Sequence, residues 1–486
     1  MKHTLLFLLF PFLIFSQTQI GQTFFGEEAY DYLGKDVSIS SNGNIVAITS
    51  MYSSEYGESS GFVAVYENIS GVWTQIGQDI SNGISYEGFG VSTSLSANGN
   101  ILAIGAYAND ANGPASGQVR VYENINDVWT QIGQDLNGST SLDQLGLSVS
   151  ISSDGTIVAM GAPSYTYNDN LSGYVRVYEY VGEVWMQIGA DIEGEFISDV
   201  FGDSIDLSSD GNTLIIGALG HDINGNQSGQ VKVYENLEGI WTQIGQDLNG
   251  DEAEDFFGWT VSISSNSEII AIGASGNNND FLGQVKVYEN ILGVWTQIGN
   301  NILGDIPGEN LGTSVSLSSD GSILAIGCIN NEDNLWNSGQ VKIFKYILNS
   351  WTQIGNSING ENENDYFGSN ISLSGDSHTI IIGSHSNSEN GINSGQVKVY
   401  DLSEVLSSDE FVLSKFSLYP NPANNQVNIQ LQEGLEFKQA NIYNTLGQFI
   451  STSKEKVINT THLSPGMYLV EIETSQGKAT KQLVIE

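Results

Sequence analysis

The chain is short of the residues that most often carry chemistry. It has one cysteine, Cys328, so no intramolecular disulfide can form. It has five histidines, of which only His221, His378, His385 and His462 lie beyond residue 16. None of them falls in a metal-ligand spacing such as H-E-x-x-H. Lysine and arginine together number 15 against 56 aspartates and glutamates, a net charge of −41. A surface that negative repels nucleic acid and anionic lipid, which excludes both as partners, and it suits solubility outside the cell. After the first residues no apolar run approaches the ~20 residues that span a bilayer, so the mature chain is not expected to be integral to a membrane. No segment before residue 400 carries a 3.6-residue apolar period, which argues against a helical fold.

What is present is repetition. The tripeptide "QIG" starts at residues 19, 75, 131, 187, 243, 297 and 353, in steps of 56 except for one of 54. A Phe or Leu followed by glycine recurs at Gly34, Gly90, Gly146, Gly202, Gly258, Gly312 and Gly368. A third glycine, in "SGQVRVYE" and its variants, recurs at 61, 117, 173, 229, 283, 339 and 395. One period holds four strand candidates, seen in residues 90–96, 100–106, 117–124 and 128–134, with turn signals between them. Four short strands per repeat of ~40–60 residues indicate a propeller blade. The expectation is an all-β, seven-bladed β-propeller over residues 17–401.

The first "QIG" has no strands before it and the last repeat lacks its tryptophan strand. Residues 17–22 are therefore expected to supply the missing outer strand and seal the ring. Residues 1–16, "MKHTLLFLLFPFLIFS", read as a secretory signal peptide: an early lysine, a short apolar run and a small residue at Ser16.

These blades resemble FG-GAP repeats, the blades of integrin-alpha-like propellers, as in "FGVSTSLSANGNILAIGAY" and "LGLSVSISSDGTIVAMGAP". Calcium-binding members of that family carry an acidic Asp-x-Asn-x-Asp-Gly loop between the first two strands. Here that loop is only "SSDGN" or "SSNGN", too short for the 6–8 oxygen ligands calcium takes, and it reads as a tight turn.

After a linker at 402–413 the composition changes. Residues 411–486 hold six lysines and six glutamates and no aspartate or arginine, so the excess charge lies upstream. Short strands separated by proline and glycine turns predict a small β-sandwich over 414–486. The stretch resembles the type A C-terminal sorting domain of type IX secretion, found in Bacteroidetes. Tyr419, Pro420, Asn421 and Pro422, then Pro465, Gly466 and Tyr468, then Lys481 in the tail, carry the match. The resemblance implies the type IX machinery as a partner, and a secreted or cell-surface location.

Alternating loops place the A–B and C–D turns on one face and the longer D–A and B–C loops on the other. The B–C loops vary most, so they are the expected binding surface. Tyr165, Tyr167, Phe281 and Trp336 there are candidates to stack on sugars or fill partner pockets. His221 with Asp222, and His385, are the acid/base candidates of an enzymatic alternative. A second set is regular: Asp31, Glu87, Asp143, Asp199, Asp255, Glu309 and Asp365 each stand three residues before a marker glycine. They are expected near the central channel as a cation-binding ring, calcium included, or else as caps on their own loops; a feature present in every repeat favours capping. A third set is basic: Arg120, Arg176, Lys232, Lys286, Lys342 and Lys398, with Ala64 in the first repeat, which predicts a paired charge site.

"GESSG" at 57–61 fits G-x-S-x-G only through repeat residues, with no strand-to-helix turn after it. No catalytic residue is assigned and no cofactor is required. The leading reading is an exported, non-catalytic, adhesin-like protein that recognises extracellular glycan or protein. The alternatives are a polymer-degrading enzyme and a structural surface spacer.

Overall fold

The computed structural model describes residues 17–163, 172–276, 281–347, 349–407, 416–431, 436–444, 448–474 and 477–485. The chain is nearly all β and divides into two compact units, the larger of Gln19–Gln353 with Ser357–Asp401, the smaller of Leu402–Glu486 with Ile354–Asn356 and the residues up to Thr18.

Among the described residues, the larger unit is built from seven antiparallel sheets of one design. The first runs Leu33–Ile39, Ile45–Ser50, Phe62–Ile69 and Val72–Gln75, which we call strands A to D. The continuous apolar run that marks strand B in every repeat is buried on both faces, as with Ile101–Ala106. Strands A and C alternate, so each sheet presents one side chain in two to the next sheet. The cores accordingly lie between sheets. Ala47, Val63 and Val65 of the first sheet pack with Phe89, Leu102, Ile104 and Trp129 of the second. Phe89, Phe201, Phe257 and Phe367 of the marker dipeptide are fully buried, and each contributes roughly 1.5–3 kcal/mol. Cys328 is equally buried, at the position held elsewhere by Ala106, Ala162, Ala218 and Ala274, and burial pushes its thiol pKa up.

The A strands contact one another in chain order, and the last, Asn370–Leu373, contacts the first, Leu33–Ile39. The arrangement is propeller-like. Serines stitch the A strands sideways: Ser38 Oγ accepts from the Leu95 amide at 2.9 Å, Ser94 from Ile151 at 3.1 Å and Ser316 from Leu373 at 3.0 Å. The A–B turns form a second chain of bonds, which closes where the Asp376 amide donates to Ser41 O at 3.0 Å.

The last sheet is completed from the beginning of the chain. Its order places Thr18–Gln19 outside Gln396–Asp401. The Ile20 amide donates to Val399 O at 2.8 Å, and Phe24 and Phe25 pair with Val397 and Gln396. The expected closure by the N-terminal strand is the one observed. The "QIGQ" motif has a second task. Five of the six D-strand tryptophans send the indole N–H to the isoleucine carbonyl of the preceding motif, as Trp129 does to Ile76 at 2.9 Å and Trp73 to Ile20 at 2.9 Å. The motif glycine makes room for it. Gly21 has φ +69°, and a Cβ there would sit 2.8 Å from Trp73 Cδ1.

In the smaller unit, the expected linker opens with a short helix, Ser403–Ser407. Two sheets follow, one of Phe416–Tyr419, Gln426–Leu431 and Val457–Asn459, the other of Phe449–Ser453, Phe437–Asn444, Gly466–Thr474 and Gly477–Ile485. They share a core that includes Leu418, Val427 and Ile458 from one sheet and Ile442, Val470 and Leu483 from the other.

Candidate functional site

The face made by the D–A and B–C loops is assembled junction by junction. The B–C loop of each sheet bonds to the D–A loop that follows it: Leu142 N to Pro114 O at 2.8 Å, Asn364 N to Trp336 O at 2.9 Å, Tyr30 N to Ile392 O at 2.8 Å.

The seven regular acids lie inside these junctions. All are buried, and none lines the central cavity, whose walls are Ser38, Ser94, Ser150, Asp206, Ser262, Ser316 and their neighbours. Of the two expectations for these acids, cation-binding ring or loop cap, their bonds are those of caps. One oxygen of each aspartate caps amides of its own loop. Asp31 takes Glu27 N at 3.0 Å and Glu28 N at 2.8 Å, Asp143 takes Ser139 N at 2.8 Å and Thr140 N at 2.9 Å, and Asp255 takes Asp251 N at 2.7 Å and Glu252 N at 2.9 Å. The other oxygen reaches the B–C loop 22 residues on: Asn109 Nδ2 to Glu87 at 2.6 Å, Asn331 Nδ2 to Glu309 at 3.2 Å, Asn387 Nδ2 to Asp365 at 2.9 Å. Glu87, Asp199, Glu309 and Asp365 thus latch two loops together. Burial raises the pKa of Asp31, Glu87 and Asp365 above the usual carboxylate range. Among the described residues no group of three or more His, Cys, Asp or Glu side chains could hold a metal ion.

His221 belongs to this latch set. It was expected beside Asp222, but its Nδ1 meets Asp199 Oδ1 at 2.9 Å in a buried pair, with the Phe196 ring at 5.4 Å. Asp222 instead accepts the Gln227 amide at 2.7 Å within its own turn. The competing partner won because His221 occupies the position that Asn109, Asn331 and Asn387 hold in other repeats. His385 is also enclosed. Its Nδ1 meets Ser369 Oγ at 2.9 Å, its ring stacks on Tyr32 at 6.1 Å, and burial pulls its pKa down to about 4. His221, Asp222 and His385 do not bond to one another. Trp336 and Phe281 stand exposed, at 61% and 43%. Tyr165 and Tyr167 lie outside the described residues.

The six basic residues are paired, and the sequence left their partner open. Lys232 bonds Glu195 at 2.5 Å, Lys286 bonds Asp251 at 2.7 Å, Lys342 bonds Asp305 at 2.7 Å and Glu309 at 2.6 Å, and Lys398 bonds Glu361 at 2.8 Å. Except for Glu309, these acids lie four residues before the latch acid. The arginines turn to their own sheet: Arg120 to Asp135 at 3.0 Å and Arg176 to Asp191 at 2.8 Å, with Arg176 also reaching Ser139 Oγ at 2.5 Å. The lysine side chains are buried although they carry charge, which is sustainable because each meets a carboxylate.

The A–B turns bind their own side chains. Asp210 Oδ1 takes Ser208 Oγ at 2.7 Å and Asn212 N at 3.0 Å, so it acts as the cap of a tight turn, as the short loop implied.

In the smaller unit, Asn421 ties the Pro-Asn-Pro turn to the last strand. Its Nδ2 donates to Gln482 O at 2.7 Å and its Oδ1 accepts Val484 N at 2.8 Å. Lys481 sends its ammonium to Phe416 O at 2.5 Å and over the Phe416 ring at 4.8 Å. Tyr468 OH donates to Ser464 O at 2.9 Å across the turn that carries Pro465 and Gly466. Tyr419, Pro420 and Pro422 are left exposed.

Residues 417–486 match the model of the secretion system C-terminal sorting domain. They are a sorting domain. A second match, to the FG-GAP repeat, covers residues 359–400. The sorting domain marks the protein for type IX secretion and a secreted or cell-surface location, with the type IX machinery as its partner. Among the described residues no helix is long and apolar enough to cross a membrane. No curated protein matches the chain. Among solved structures, the periplasmic gluconolactonase of Pseudomonas aeruginosa is similar at 16% identity and a TM-score of 0.45, over 67% of this chain and 85% of that one.

Proposed function

We propose that the protein is an exported, non-catalytic recognition protein that binds an extracellular glycan or protein through its D–A and B–C loop face. One observation carries this reading. That face exposes large apolar side chains that differ from one repeat to the next: Tyr86 and Phe196 in D–A loops, Ile223, Trp336 and Ile392 in B–C loops. A repeat maintained for scaffold alone needs no such variation where it meets water. Aromatics held on bonded loops offer contact area at low entropic cost. The regular acids beneath them are buried, which leaves the exposed side chains of the loops as the means of recognition.

The test is a panel of extracellular polysaccharides and matrix proteins, titrated with the full chain in calcium and then in chelator. Saturable binding to a panel member supports recognition, and its loss in chelator would add a metal to the site. Absence of saturable binding across the panel, with the protein folded, counts against the reading.

A further inference from the structure

One junction departs from the rest. At the other six, strand C carries Arg120, Arg176, Lys232, Lys286, Lys342 or Lys398, and its cation is paired with carboxylates of the junction or of its own sheet. Where the seventh sheet meets the first, the same position is Ala64, while the carboxylates remain. Glu27 and Asp31 stand 37 and 33 residues before Ala64, the same separations as Asp305 and Glu309 before Lys342. The space left open is a cavity of about 230 Å³, lined by Phe24, Phe62, Ala64 and Tyr66 below and by Glu27 and Asp31 above.

The walls have changed along with the missing lysine. Phe62 stands where Gln118, Gln230, Gln284, Gln340 and Gln396 stand in other repeats. Gln118, Gln230 and Gln340 bond Asn137, Asn249 and Asn359 at 2.7, 2.9 and 2.6 Å. Here that polar bridge is replaced by a ring, Phe62, and Phe24 packs on Tyr66 at 4.6 Å between ring centres. Asp31 is held in place by two amides of its own loop, as its counterparts are. The result is a slot with a wall of three rings, Phe24, Phe62 and Tyr66, and four carboxylates at its rim, of which Asp31 is buried and Glu27, Glu28 and Glu55 are exposed. The three rings suit a hydrocarbon stem, and the carboxylates suit a cationic head.

We propose that this cavity binds a primary alkylammonium group from outside the chain, with its stem between Phe24, Phe62 and Tyr66 and its ammonium at Glu27 and Asp31. Within the same molecule, Lys342 makes this arrangement with an internal side chain, bonding Asp305 at 2.7 Å and Glu309 at 2.6 Å. The ligand chemistry is that of a lysine side chain on a partner protein or of a free alkylamine. The proposal rests on the loop-face reading only in taking this face as the working one, and it names a ligand class for one part of it.

The experiment is a calorimetric titration of the full chain with n-pentylammonium, with N-acetyl-lysine N-methylamide, and with 1-pentanol as the neutral analogue. Both ammonium compounds are expected to bind saturably, 1-pentanol at least about tenfold more weakly, and the affinity to fall with added salt. Preference for the lysine derivative would identify a protein partner, and preference for the simple amine a small-molecule ligand. Ala64→Lys supplies the ammonium internally and should abolish binding. Glu27→Gln, at an exposed position, should weaken binding about tenfold and keeps the test decisive if Ala64→Lys does not fold. Val128→Ser, on a C–D hairpin of the opposite face, should leave the titration unchanged, and the polysaccharide and matrix-protein panel read on Ala64→Lys separates failure of this pocket from failure of the wider face. No saturable binding of either ammonium compound to the folded protein, or undiminished binding to folded Ala64→Lys and to Glu27→Gln, would overturn the proposal.

Discussion

Gln22 and Trp73 hold each other across the ring closure: the Gln22 amide Nε2 donates to Trp73 O at 2.7 Å, and the Trp73 amide donates back to Gln22 Oε1 at 3.2 Å. The same reciprocal pair joins Gln78 with Trp129 and Gln134 with Trp185. At those junctions it is one bond set among many, between sheets that are consecutive in the chain. At Gln22 it helps to hold the beginning of the chain in a ring that the last sheet must complete. Gln22→Ala is therefore expected to lower stability by about 1–3 kcal/mol by leaving a half-buried donor and acceptor unpaired. Gln78→Ala should lower it by a similar amount. Only the Gln22 variant should also increase protease cleavage near residues 17–25, read by limited proteolysis and mass spectrometry.

Lys342 is buried with Glu309, whose side chain has no exposure. Lys342→Met keeps the stem and removes the charge, which strands the Glu309 carboxylate. A loss of about 3 kcal/mol or more is expected in chemical denaturation. The double variant Lys342→Met with Glu309→Gln should recover part of it. Additive losses would show that the two side chains do not act as a pair.

Asp206 takes the place that serine holds at residues 38, 94, 150, 262, 316 and 372. Burial raises its pKa to about 6, against bonds from Ile263 N, Ser150 Oγ and Leu207 N that pull it down. A carboxyl whose folded pKa exceeds its unfolded value of 3.8 favours the fold while protonated. That contribution is complete below 3.8 and is lost as pH rises through 6. Asp206→Ser should remove this slope and raise the melting temperature above pH 6. A thermal melt series from pH 4 to pH 8 on both proteins checks it.

His385 has the opposite sign. Its pKa falls from 6.5 to about 4 because its ring is buried. The unfolded chain takes up a proton that the folded chain refuses, so its contribution is present above 6.5 and lost as pH falls toward 4. NMR titration should find this ring neutral at pH 5.5. A protonated His385 at that pH would contradict the buried, serine-bonded geometry.

Much of the larger unit was legible in the sequence, because each repeat restates the same four strands and turns. The exchange of the outer strand followed from one surplus "QIG" and one missing tryptophan. What the sequence concealed was which side chains meet across a junction. The latch acids were visible as a series, but their second partners sit 22 residues away in loops that otherwise vary. Asn109, Asn331 and Asn387 recur at that offset, and the same offset would have assigned His221 to Asp199. Ala64 was visible as the gap in a basic series. Its meaning needed the structure, because only the fold places Glu27 and Asp31 over the space the missing lysine leaves.

The central claim is that recognition uses the loop face that carries Phe196 and Trp336, and the most direct measurement is a comparison of two double variants on the best-binding member of the polysaccharide and matrix-protein panel. Phe196→Ser with Trp336→Ser changes exposed side chains on that face, and Val128→Ser with Ile240→Ser changes equally exposed ones on the C–D hairpins of the opposite face. The account predicts at least about a tenfold loss of affinity for the first pair and no change for the second, with both proteins folded. Loss from the C–D pair with retention in the loop-face pair would contradict it.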